Sequence, residues 1–102
     1  MGKVQNINFQ KINNVALSNV HVLLERWLPD GQMRGQEYVA RNPKRSDQKA
    51  GSFTINIRSG KWADFATGDK GGDVISLAAY LSSSTQYEAA LNLAVMLGVH
   101  HG

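Results

Sequence analysis

Residues 51–65, GSFTINIRSGKWADF, constrain the fold more than any other part of the chain. Phe53, Ile55 and Ile57 alternate with Ser52, Thr54, Asn56 and Arg58. A period of two sends the two sets to opposite faces of a strand, one buried and one wet. Ser59-Gly60 then supplies a tight turn, and residues 61–65 read as the returning strand. The next seven residues, ATGDKGG, read as a glycine-rich loop. Asp73 is well placed to cap an apolar helix over 75–81 with the stripe Val74, Leu77, Ala78 and Leu81. The central unit is therefore expected to be hairpin, glycine-rich loop, helix.

The flanks build outward from that unit. Ala16, Val20, Leu23, Leu24, Trp27 and Leu28 recur at helical spacing, which predicts a helix over 15–28. Asn13 or Asn14 is its candidate cap, and Pro29-Asp30-Gly31 ends it. One strand, irregular at Gly35, is expected over 32–40, followed by a basic loop over 41–50. Ser82-Ser83-Ser84 stops the helix after the hairpin, and Thr85-Gln86-Tyr87-Glu88 is a capping box for another. Its expected buried face is Ala89, Leu91, Leu93, Val95, Met96 and Leu97, with Gly98 as C-cap. The fold class is α+β: a small antiparallel sheet of about three strands, one helix before it and two after. Residues 1–14 are expected to form a loosely ordered arm before a single domain over 15–102.

A chain of 102 residues, 42% apolar, is long enough for one small core and too apolar to be disordered. No run of eighteen apolar residues exists to span a membrane, and the first fourteen residues lack the apolar segment of a secretory signal. The absence of cysteine agrees with a reducing cytoplasm, where the chain is expected to work.

The order G-S-F-x-I-N, a turn, G-x-W-x-D-F and then G-G-D-V-I-S-L resembles the zinc-ribbon domain at the N-terminus of bacterial and phage DNA primases. The resemblance is detailed over about residues 37–81. In that family a Cys-Pro-x-His pair precedes the hairpin and a Cys-x-x-Cys pair ends it. The matching positions here are Asn42 and Arg45, then Asp64 and Thr67. An amide, a guanidinium, a carboxylate and a hydroxyl do not make the thiolate and imidazole set of a tetrahedral zinc. The chain is thus similar to the zinc-less variant found in Toprim primase-like proteins of phages and mobile elements, and no metal or other cofactor is expected. Hydrogen bonds from Asp64 and Thr67 to the loop backbone, or an Arg45–Asp64 ion pair, are expected to close the seam instead.

The resemblance implies a template-recognition module that binds single-stranded DNA within a longer, primase-like replication protein. Charge agrees with a polyanionic partner: residues 41–70 hold seven basic and three acidic side chains, against four and five elsewhere. The bland reading of the same charges is a solvated face. The candidate contacts are Arg41, Lys44, Arg45, Lys49, Arg58, Lys61 and Lys70. Trp62 is either a stacking platform for bases or a core residue.

Catalysis by the domain alone is not expected. Its eight carboxylates form no cluster that would hold magnesium, and no nucleophile–histidine–acid set can be composed. In the resembling family the polymerising centre lies in a separate acidic domain. The loop at 68–72 lacks the Walker pattern, and Asp69 and Asp73 would repel a phosphate. Its glycines read structurally as positive-φ residues for a sharp turn, with Gly71 and Gly72 as the candidates. Two rival functions stand: a protein-interaction module that docks on a helicase or a catalytic primase domain, and a small nucleotide-binding protein.

Overall fold

The computed structural model describes residues 7–44 and 51–99. Two helices come first, α1 (Phe9–Ser18) and α2 (Val20–Trp27). The single expected helix is broken at Asn19 for a local reason. The Ser18 hydroxyl and the Asn19 amide donate to the carbonyls of Asn14 and Val15, 3.1 and 2.8 Å away, and compete with the backbone ladder. Asn8 caps α1 by accepting from the Lys11 N–H. Residues 9–14 of the expected arm are therefore helical, and Ile12 is fully buried. Asn13 caps a different helix: its side-chain oxygen accepts the Ile75 N–H at 3.0 Å.

The sheet has five antiparallel strands in sequence order: β1 (Gln32–Arg34), β2 (Glu37–Ala40), β3 (Phe53–Asn56), β4 (Trp62–Asp64) and β5 (Lys70–Gly71). Two of these differ from expectation. The strand over 32–40 is a hairpin, because Gly35 takes a positive φ of 62° and folds β1 back on β2. The glycine-rich segment carries a fifth, two-residue strand at the edge. The central turn falls where expected but is longer than Ser59-Gly60: β3 ends at Asn56, whose N–H bonds the Lys61 carbonyl, so residues 57–60 form the turn. The Asn56 side-chain oxygen accepts the N–H groups of Arg58 and Ser59, and Gly60 closes the turn at φ 81°.

Register assigns the faces. Tyr38 pairs with Ile55, Ala40 with Phe53, Ile55 with Trp62 and Phe53 with Asp64, so these residues share one face. All of them are buried. The helices α3 (Val74–Ser82) and α4 (Gln86–Leu97) complete that side. The Tyr80 ring of α3 lies 4.6 Å from the Trp62 ring and 6.1 Å from Phe53. Both helices open with capping boxes, Asp73–Ser76 and Thr85–Glu88, and Gly98 ends α4 in the left-handed conformation.

The buried stripe of α4 is Ala89, Ala90, Leu93 and Ala94. Val95 is 81% exposed and Met96 44%. Val95 lies off the three- and four-residue spacing that the stripe follows, whereas Met96 lies on it, three residues after Leu93, and is exposed where it lines a groove with Trp27 and Leu81; both correct the expected burial. Gly71 is small for a packing reason: a side chain there would collide with the Trp62 indole nitrogen and the Ser76 hydroxyl. Neither Gly71 nor Gly72 has a positive φ; Gly68 carries it, at 85°.

Candidate nucleic-acid interface

The hairpin alternation that buries Phe53 and Ile55 also fixes what lies on the opposite face. There Arg34 pairs with Glu37, and Glu37 with Asn56, whose amide donates to the Glu37 carboxylate at 2.8 Å. The Asn56 N–H bonds the Lys61 carbonyl, so Lys61 ends that row. The neighbouring row runs from Gln32 through Val39, Thr54 and Ala63 to Lys70. Phe65 continues the alternation of Lys61 and Ala63, and its N–H extends the ladder to the Ser52 carbonyl at 2.8 Å. Its ring is 76% exposed. Arg34, Lys61 and Lys70 are exposed, and Glu37 is the acidic residue in these rows. One sheet face thus presents three cations and a bare aromatic ring.

Two of these residues escaped the sequence reading as contacts. Arg34 lies before the basic segment and reaches the face only because β1 folds back on β2. Phe65 had a legible signal, the spacing Lys61, Ala63, Phe65 across a strand. That same period sends Trp62 inward, which corrects its role as a stacking platform. Trp62 is 5% exposed, and its indole N–H donates to the Ser76 hydroxyl at 2.9 Å.

The other expected contacts do not gather on this face. Arg58 is exposed in the β3–β4 turn, beside Lys61. Arg41 follows β2 at the opposite end of the sheet and is paired with Asp30 at 2.6 Å. Lys44 sits 5.2 Å above the Tyr80 ring, on the helix side, and donates to the Ser83 hydroxyl. Arg45 and Lys49 lie outside the described residues. The expected single basic patch is split between the two ends of the sheet.

The seam that a zinc ion closes in the resembling family has a different content. Asn42 and Asp64, 1% and 0% exposed, are the buried polar residues among those described. The Asn42 amide nitrogen donates to the Asp64 carboxylate at 2.8 Å and to the Tyr80 hydroxyl at 2.8 Å. Asp64 also accepts the Ala66 N–H at 2.8 Å. Asn42 turns its amide nitrogen to the seam, whose lone pair is delocalised into the carbonyl, while its oxygen, the atom that could ligate a metal, accepts the Lys44 N–H. Thr67 is exposed, and its hydroxyl accepts the Asp69 N–H. These residues do not fit zinc, and among the described residues no group of three or more His, Cys, Asp or Glu side chains could hold a metal ion. The expected Arg45–Asp64 pair lies outside the described residues.

Burial of the ring and donation to Asp69 push the Tyr80 hydroxyl above its ordinary value near 10, while the Asn42 amide opposes them. Tyr38 is raised as well, chiefly by burial and then by the nearby Glu25 carboxylate. The glycine-rich loop is not an open phosphate cradle. The Asp73 carboxylate already accepts the Ser76 N–H at the α3 N-terminus.

The fold itself has a solved counterpart. A crystal structure of the Aquifex aeolicus primase, comprising its zinc binding and RNA polymerase domains, superposes with a TM-score of 0.76 at 20% identity. The match covers 96% of this chain and 23% of that one, so this chain spans under a quarter of the primase structure. The two share a fold. No family model and no curated protein matches the sequence. No described helix is long and apolar enough to cross a membrane.

Proposed function

We propose that this chain is a non-catalytic nucleic-acid-binding module of a primase-like replication protein, and that it holds single-stranded DNA across the open face of its sheet. The observation that carries this reading is the placement of Arg34, Lys61, Lys70 and the exposed Phe65 on one face. Cations hold phosphates, and an exposed ring stacks on any base, a combination that binds single strands without reading sequence. Arg58 extends the cationic surface at the hairpin turn. Arg41 and Lys44 serve at the far end of the strand track, where Arg41 exchanges its exposed pair with Asp30 for a phosphate; Arg45 and Lys49 belong to the same basic segment. The shared fold with a primase supports the setting: such a module works in the cytoplasm, beside a catalytic domain that makes the primer.

The test is a fluorescence-anisotropy titration of a labelled oligothymidine at two salt concentrations. Binding should weaken with salt by a log–log slope of about −0.7 per phosphate contact. The double variant Lys61→Glu with Lys70→Glu should lose at least tenfold in affinity and keep its melting temperature. No binding at low salt, or unchanged affinity in that variant, rejects the reading.

A second reading has one observation in its favour. An apolar groove of about 430 Å³ between α2, α3 and α4 is lined by Trp27, Leu81, Leu93 and Met96. It fits docking on a helicase or on the catalytic primase domain. A module of that kind would bind its partner with Lys61 and Lys70 both reversed.

A further inference from the structure

A metal stabilises a small sheet-and-loop fold by tying segments that are distant in sequence at one buried point. The same demand is met here by side chains. Asn42 follows β2, Asp64 ends β4, Asp69 precedes β5 and Tyr80 lies in the last turn of α3. The Asn42 amide donates one hydrogen to Asp64 and the other to Tyr80, each at 2.8 Å. Its oxygen accepts the Lys44 N–H at 2.9 Å. The Tyr80 hydroxyl, having accepted from Asn42, donates to the Asp69 carboxylate at 2.7 Å. The Lys44 ammonium lies over the Tyr80 ring, 5.2 Å from its centre. Donors and acceptors alternate along the whole chain of contacts, and the alternation fixes the orientation of the amide. Its nitrogen faces a carboxylate and a phenolic oxygen, and its oxygen faces an N–H.

We propose that the Asn42–Asp64–Tyr80–Asp69 network is a metal-independent latch that takes the place of a zinc ion in this fold. It makes the domain's stability indifferent to zinc and to chelators. The inference stands on packing and hydrogen bonding and does not rest on nucleic-acid binding, so either can fail without the other.

The position of the network decides its value. Removing one partner from a buried, satisfied polar group costs far more than the hydrogen bond itself contributes in water. Tyr80→Phe keeps the ring on Trp62 and Phe53 and removes only the hydroxyl that joins Asn42 to Asp69. Asn42→Ala removes the hub. Because the two residues share one network, their effects should be non-additive.

The experiment is thermal unfolding followed by circular dichroism, for the native chain and for Asn42→Ala, Tyr80→Phe and the double variant. Each is measured with EDTA and with equimolar zinc. The native chain should melt at the same temperature in both. Asn42→Ala should lower the melting temperature by about 8 °C or more and Tyr80→Phe by about 4 °C or more. The double variant should fall by less than the sum. A native melting temperature that drops in EDTA or rises with zinc overturns the proposal. So does an unchanged melting temperature in Tyr80→Phe, which retains enough packing to fold even where Asn42→Ala does not.

Discussion

The seam at Asn42 and the open face at Lys61 are built from the same hairpin and use polar groups in opposite ways. Along β4, Asp64 points inward and is fully buried, whereas Phe65, the next residue, points outward and is 76% exposed. At the seam, an ionisable carboxylate and an amide lie in the core and their hydrogen-bonding capacity is spent on each other and on neighbours. On the open face, Arg34, Lys61 and Lys70 lie in solvent. A charge in the first region acts on stability, because water cannot screen it. A charge in the second is free to act on a ligand.

Exchanging one charge in each region separates the two most strongly. Asn42→Asp is nearly isosteric, yet it sets a second carboxylate against Asp64 in a dry site and removes both N–H donors. Breaking a buried network in this way costs about 3 kcal/mol or more. The variant should be largely unfolded at neutral pH and recover part of its helical signal at acidic pH, where one carboxylate takes a proton. Lys61→Glu, an equally drastic change on the open face, should leave stability within about 0.5 kcal/mol. Equal stability losses in the two variants would erase the distinction.

Phe65→Ala tests the open face without touching the seam. A ring this exposed adds little to the core, so chemical denaturation should give an unchanged midpoint. Loss of one stacking partner should weaken single-strand binding by about 1–3 kcal/mol, a factor of roughly 5 to 150 in the dissociation constant. Trp62→Phe should do the reverse: it removes the indole hydrogen bond to Ser76, costs about 1 kcal/mol of stability and spares affinity. A variant set in which Trp62 governs affinity and Phe65 governs stability would invert the assigned faces.

How far the sequence alone reaches is visible in those two aromatics. Strict alternation over 53–57 identifies the buried face of β3, but Trp62 stayed open between core and stacking platform, because the length of the turn decides which parity of the returning strand faces inward. The Thr85–Glu88 capping box and the Asp73 cap were legible, since a cap is a local device; the return bond from Ser76 that makes Asp73 a full box was not read. The break at Asn19 was hidden because it depends on two side chains outcompeting the helix ladder. The fold-back at Gly35 was hidden because a strand interrupted by glycine and a tight hairpin share one pattern until the partner strand is known. The seam was legible as a loss, four positions unable to hold zinc. Its replacement was not, because Tyr80 lies 38 residues from Asn42 and on a helix. Nothing in the local pattern marks one half-buried tyrosine on an apolar stripe as the partner of a distant amide.

The smallest expected effect concerns that tyrosine. Its hydroxyl is held above its ordinary value near 10, by burial of the ring first and then by donation to Asp69. In the unfolded chain it ionises at the ordinary value. The stabilisation linked to the neutral phenol is therefore complete below pH 10 and is lost as pH rises from there through the folded-state value. Tyr38 adds in the same direction: burial, and then the Glu25 carboxylate, raise its hydroxyl, which donates to the Leu28 carbonyl at 2.6 Å. Melting temperature measured from pH 9 to 11.5 should fall along this range in the native chain. The fall should be shallower in Tyr80→Phe, which starts lower and has one phenol fewer to ionise. Lys61→Glu, on the open face, should follow the native slope. A Tyr80→Phe profile parallel to the native one would mean that the phenol is not coupled to folding through its proton, and that the seam acts through its pH-independent hydrogen bonds and packing.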